Sequence, residues 1–109
     1  MSQVLKICEQ TDLVANSGVC AIVEGQQIAL FYLPKEIPTV YAIGNWDPTG
    51  KANVLSRGMV GDINQRLVVA SPLYKQHFDL QTGNCIEDST MSVPVYHVEL
   101  VADEVLVTL

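Results

Sequence analysis

The stretch Asn45-Trp46-Asp47-Pro48-Thr49-Gly50-Lys51-Ala52-Asn53-Val54-Leu55-Ser56-Arg57-Gly58 interrupts a chain otherwise made of short apolar runs. It has neither the alternation of a strand nor the period of a helix, and it carries a proline among polar residues, so it reads as a long loop. A shorter interruption, Ser71-Pro72-Leu73-Tyr74-Lys75-Gln76-His77, has the same character. Loops held on a rigid β scaffold are where function usually sits, so regions 44–58 and 71–77 are the first places to look.

Working outward, residues 19–23 and 28–33 are rich in Val, Ile, Leu and Phe and flank Glu24-Gly25-Gln26-Gln27, which reads as a hairpin turn with Gly25 at positive φ. A strand over 39–43 follows the breakers Pro34 and Pro38, and another over 66–70 follows a Gly61-Asp62 turn. Runs at 77–80 and 85–86 surround a Thr82-Gly83 turn. Residues 93–100 alternate, with Tyr96, Val98 and Leu100 on one face and Val95, His97 and Glu99 on the other. A turn at Ala102-Asp103-Glu104 leads into 105–109. The count is about eight or nine closely spaced strands with no linker or repeat, a pattern of an antiparallel sandwich or small barrel.

The bulk numbers agree with one domain over residues 1–109. A chain this long buries about two-thirds of its extended surface, enough for a core without staples. Hydrophobic residues make up 49% and charged residues only 17%, which excludes a disordered chain. The net charge is −6 and no cationic cluster exists to displace counterions from phosphates, so a nucleic-acid partner is excluded. That acidity serves solubility, or else forms a face that steers docking onto a basic partner. No apolar run approaches the roughly 20 residues needed to span a bilayer, and the first seven residues are too short and polar for a signal-peptide core. Cys8, Cys20 and Cys85 are odd in number and contain no Cys-x-x-Cys. They read as reduced thiols of a cytoplasmic protein, two of them buried in strands.

The two loops resemble the cluster-binding loops of Rieske proteins. In that family the first loop reads Asn-x-Cys-Pro-His, then Gly-Ala and Leu-Ser-x-Gly; the second reads Cys-Pro-x-His-Gly, then aromatic-Asp-Leu and Thr-Gly. Here Asn45, Pro48, Ser56, Gly58, Pro72, Phe78, Asp79 and Gly83 fall in register, with the first loop one residue longer. The resemblance covers roughly residues 15–100 and implies an all-β, Rieske-like antiparallel sandwich or small barrel with a small loop-bearing subdomain. A Rieske centre needs two Cys thiolates and two His imidazoles. The matching positions are Asp47, Thr49, Ser71 and Tyr74, so all four ligands are missing and no metal or 2Fe–2S cluster is expected in this chain.

A ligand-free frame with Ala52-Asn53-Val54-Leu55-Ser56-Arg57-Gly58, Ser71-Pro72-Leu73-Tyr74-Lys75-Gln76-His77-Phe78, Glu87-Asp88 and Ser92-Val93-Pro94-Val95-Tyr96 is similar to the small-subunit family of assimilatory NAD(P)H-dependent nitrite reductase. That resemblance implies a non-catalytic subunit that docks on a large subunit holding FAD, a 4Fe–4S cluster and sirohaem, where nitrite is reduced to ammonium. Two other readings are a protein-interaction module of another oxidoreductase complex and a Rieske-type ferredoxin electron carrier.

Asp47, Thr49, Ser71 and Tyr74 either form a converted active site or hydrogen-bond the two loops together in place of a cluster. A Ser71 nucleophile would need a base, and only His77 is near in sequence. Trp46, Leu73 and Tyr74 belong at the loop tips, as interface anchors or, for Trp46, folded back into the space of a cluster. Lys51, Arg57 and Lys75 are half of the six cations and complete the docking candidates. No catalytic residue is assigned. His77 and His97 read as ordinary strand or surface residues, and Gly58 and Gly83 as turn positions that a Cβ would strain.

Overall fold

The computed structural model describes residues 3–36, 39–73 and 75–109; Pro38, the expected breaker, and Tyr74, a ligand-equivalent and docking candidate, lie outside the described residues. Eleven strands run in the order β1 (Val4–Glu9), β2 (Ser17–Val23), β3 (Gln26–Tyr32), β4 (Val40–Gly44), β5 (Trp46–Asp47), β6 (Ala52–Asn53), β7 (Met59–Ile63), β8 (Arg66–Ala70), β9 (His77–Asp79), β10 (Val95–Val101) and β11 (Glu104–Thr108). Three sheets result: a six-stranded antiparallel sheet β1-β11-β10-β4-β3-β2, the small pair β5-β6, and a three-stranded sheet β7-β8-β9. The all-β, antiparallel expectation holds. Among the described residues no helix is long and apolar enough to cross a membrane.

The continuous run Ile28-Ala29-Leu30-Phe31 explains how the layers meet, because all four residues have no exposed surface. Successive side chains of a strand point to opposite faces, so a strand without alternation must be covered on both. Ile28 and Leu30 enter one core with Val40, Ala42, Val105 and Val107, inside the curled six-stranded sheet. Ala29 and Phe31 enter the other, with Ile43, Leu55, Val69 and Phe78, under the sheet that carries the loops. Each such fully buried side chain contributes about 1.5–3 kcal/mol. Thus β3 and β4 form the floor on which both loops stand. As expected, Tyr96, Val98 and Leu100 pack inward from β10 while Val95, His97 and Glu99 face solvent.

The turns differ from the sequence reading. Three hairpins close on two residues, both at positive φ: Glu24-Gly25, Asn64-Gln65 and Ala102-Asp103. That pair of left-handed residues matches the twist of the flanking strands. Gln26, Gln27 and Glu104, expected in turns, are therefore strand residues. Gly61-Asp62 is no turn either; it lies inside β7 opposite Val68 and Leu67. Residues 85–86 form no strand, only a bridge from Cys85 to Phe78. The unexpected β1 pairs with β11 at the sheet edge, with a bulge between Lys6 and Cys8, a common way to blunt an edge.

Gly58 has an ordinary φ of −75°, so it meets no turn requirement. A Cβ there would overlap the Ala70 carbonyl, and close approach of the two backbones is what needs glycine. The cysteine expectation fails in part: Cys85 is buried, but Cys8 is half-buried in β1 and Cys20 is exposed in β2. Cys20 lies on the edge strand beside Asn45 and Gln27, not in either core.

Candidate functional site

The first loop begins and ends on one buried side chain. Asn45 N–H donates to the Gln27 carbonyl (3.1 Å), its Nδ2 donates to Gln27 Oε1 (3.1 Å), and its Oδ1 accepts from Ser56 N–H (2.7 Å). Its carbonyl accepts from Leu55 N–H (3.1 Å). The ten residues between Asn45 and Ser56 are thereby cinched at their base, which accounts for these two positions in the frame quoted above.

Beyond that base, the two loops share one design. In Asp47-Pro48-Thr49-Gly50-Lys51, the Lys51 N–H donates to the Asp47 carbonyl (2.7 Å) and Asp47 Oδ1 accepts from Thr49 N–H (2.9 Å). In Ser71-Pro72-Leu73-Tyr74-Lys75, the Lys75 N–H donates to the Ser71 carbonyl (3.0 Å) and Ser71 Oγ accepts from Leu73 N–H (3.3 Å). Both turns end on a lysine in the left-handed region, φ 55° at Lys51 and 58° at Lys75. Left-handed lysine costs about 1–2 kcal/mol that glycine would not.

The heads of the turns are joined. Ser71 Oγ donates to Asp47 Oδ2, and both residues are completely buried. Thr49 Oγ1 donates to Gln76 Oε1 and lies 3.3 Å from Met91 Sδ. A third segment thus closes the site, since Met91 N–H reaches the Asp88 carbonyl and Cys85 N–H the Met91 carbonyl (both 3.1 Å). Glu87 anchors that segment to the second loop: it accepts from His77 N–H (2.8 Å) and lies 2.5 Å from His77 Nδ1. Burial pushes the Glu87 carboxyl up, but its contacts to the His77 backbone and ring outweigh this and leave it below the ordinary carboxylate range. His77 is therefore tied to Glu87 and makes no hydrogen bond with Ser71 among the described residues. His97 is exposed and lies 2.6 Å from Glu99.

Three of the four ligand-equivalent positions, Asp47, Thr49 and Ser71, come together as a hydrogen-bonded network between the loops; Tyr74 lies outside the described residues. Trp46 does not fold back. It is 49% exposed, as is Leu73. Leu73 fills the space that Gly50 leaves, since a Cβ there would overlap its Cδ1. Lys51, Arg57 and Lys75 are exposed and make no ion pair among the described residues. Sequence reading missed Gln27, Gln76 and Met91, whose partners lie 18, 27 and 42 residues away. No local pattern marks such positions.

Asp47→Ala leaves the Ser71 hydroxyl and the Thr49 N–H without their buried acceptor and is expected to cost about 1–3 kcal/mol. Asp47→Asn keeps one acceptor and costs less. Urea midpoints check this order; an Asp47→Ala midpoint equal to the parent's would mean that the two loops do not depend on the bond.

The family model for a Rieske-like [2Fe-2S] domain matches residues 3–108. The small subunit of nitrite reductase (NADH) from Salmonella typhimurium is 46% identical over 96 residues, 88% of either chain. A stretch of the Klebsiella oxytoca nitrite reductase [NAD(P)H] large subunit is 36% identical over 94 residues, 86% of this chain but 10% of that one. The solution structure of the Escherichia coli protein NirD superimposes with a TM-score of 0.89 at 39% identity, covering 99% of this chain and 97% of that one.

The residues present do not fit the cluster that the domain family is named for. Asp47 is the one carboxylate at a ligand position, and both its oxygens are taken by Ser71 and Thr49. No cysteine lies in either loop, and among the described residues no group of three or more His, Cys, Asp or Glu stands together for a metal. The described geometry and these relatives place the chain in the Rieske-like domain family, among the small subunits of NADH-dependent nitrite reductase.

Proposed function

We propose that the chain works without a redox centre, as the subunit that docks on the nitrite reductase large subunit with its loop end. The observation that carries this reading is the buried Asp47–Ser71 bond, which joins the two loops by side chains alone and leaves Trp46 and Leu73 exposed beside it. Exposed aromatic anchors such as Trp46 are typical of an interface centre, with neighbouring apolar contacts such as Leu73 excluding water around them. The Klebsiella oxytoca protein supports the partnership, because it carries a stretch similar to this sequence inside a chain named as a large subunit. In this reading nitrite reduction and the FAD, 4Fe–4S and sirohaem groups belong to the partner. An exposed free thiol at Cys20 suits a reducing compartment, which supports a cytoplasmic complex.

Reconstitution tests this. The purified small subunit should contain no iron and keep its thermal midpoint in chelator, and it should co-purify with the large subunit. Nitrite-dependent oxidation of NADH or NADPH should then be measured with and without it. Stoichiometric iron with a Rieske-type electron paramagnetic resonance signal would overturn the absence of a centre. Failure to associate would overturn the docking.

A further inference from the structure

Charge is distributed unevenly in this acidic chain. The two loops hold three cations and a single acid, Asp47, which is completely buried. Everywhere else three cations face eleven acids. The cations outside the loops are partly spent: Lys6 pairs with Glu9 and Glu104 (2.7 and 3.1 Å), and Arg66 with Asp79 (3.8 Å). Glu87, held by His77, and Asp88, held by Thr90, remain carboxylates on the segment beside the second loop. Within the two loops themselves the exposed charges are all cationic, on a molecule of net charge −6.

Backbone geometry points the same way. Both turns close on a residue at positive φ, the position for which glycine is the least strained choice, and both place lysine there. Neither lysine makes a hydrogen bond or ion pair through its side chain among the described residues. The two turns thus hold the two lysines at matching positions, one on each loop.

Resting on the docking reading above, we propose that Lys51 and Lys75, beside the Gly50–Leu73 contact, recognise an acidic patch on the large subunit. Because the rest of this chain is strongly acidic, the same patch repels every other face of it. The charges orient the encounter, and the apolar pair Trp46 and Leu73 holds the complex once formed. Complementary charge acts mainly on the association rate and is screened by salt, whereas apolar anchors act on dissociation.

The experiment measures association with the immobilised large subunit between about 20 and about 300 mM NaCl, a range over which the screening length shrinks severalfold. The parent's association rate should fall about tenfold or more across that range. Lys51→Gly with Lys75→Gly suits the left-handed turns, so the fold survives. It should lower the low-salt association rate about tenfold, flatten the salt dependence and leave dissociation nearly unchanged. Lys35→Gln, an exposed cation outside both loops, should behave as the parent does. If the glycine pair keeps the parent's rate and salt dependence while Trp46→Ala with Leu73→Ala still weakens binding, the acidic-patch proposal is overturned and the docking face stands. If neither double variant changes binding, both readings fall. Competition by sodium nitrite at constant ionic strength would assign the lysines to a small anion and also overturn it.

Discussion

Trp46→Ala combined with Leu73→Ala should weaken association with the large subunit by about 2–4 kcal/mol, roughly 30- to 1000-fold in Kd, while circular dichroism shows the fold intact. Each side chain is half exposed, so truncation opens no internal cavity. Trp46 sits on the small β5-β6 pair opposite Asn53, and Leu73 rests over Gly50, so the two stand on the two loops that the Asp47–Ser71 bond joins. An anchor held on a closed frame loses little conformational freedom when it binds, which is why a few such residues dominate interfaces. Isothermal titration with the purified partner reads the effect directly. Unchanged affinity in a folded double variant would move the docking face elsewhere, for example to the exposed side of β10 around Val95, His97 and Glu99.

Gly83→Val should be the most destabilising single change in the scaffold, at about 3–5 kcal/mol. Gly83 has φ +80°, which a β-branched residue adopts only under strain. A Cβ would also overlap the Val93 carbonyl oxygen and come within 3.1 Å of Val95 Cγ1. That backbone cannot retreat cheaply, because Val93 N–H donates to the Gly83 carbonyl and Gly83 N–H to that of Asp79 (both 2.8 Å). Gly25 is the control. It has nearly the same φ, +77°, but nothing within 4 Å of the added atom, so Gly25→Ala should cost only about 1 kcal/mol of backbone strain. Urea midpoints of Gly25→Ala and Gly83→Ala separate strain from overlap. Equal midpoints would show that the Val93 backbone yields.

The strands were legible because their signal is local. Ile28-Ala29-Leu30-Phe31 and the alternation from Val95 to Leu100 declare how many faces each strand buries. The positions of Asn45, Asp47, Ser71, Asp79 and Gly83 were legible because their frame survives although its metal ligands are gone. The turns were legible only in part: Glu24-Gly25 and Ala102-Asp103 lie within the expected turns, the Asn64-Gln65 turn was not foreseen, and strand twist and register set where each hairpin closes. Gly61, the apparent breaker, sits in a strand since its neighbours pair across to β8. In the site, residue types alone left open whether the four ligand-equivalent positions were reactive or structural. Tertiary structure shows where three of them go, burying Asp47 against Ser71 and turning Thr49 to Gln76 and Met91. Those contacts join positions 24, 27 and 42 residues apart, and only the packing of the two loops on β3 and β4 brings such groups within hydrogen-bond reach.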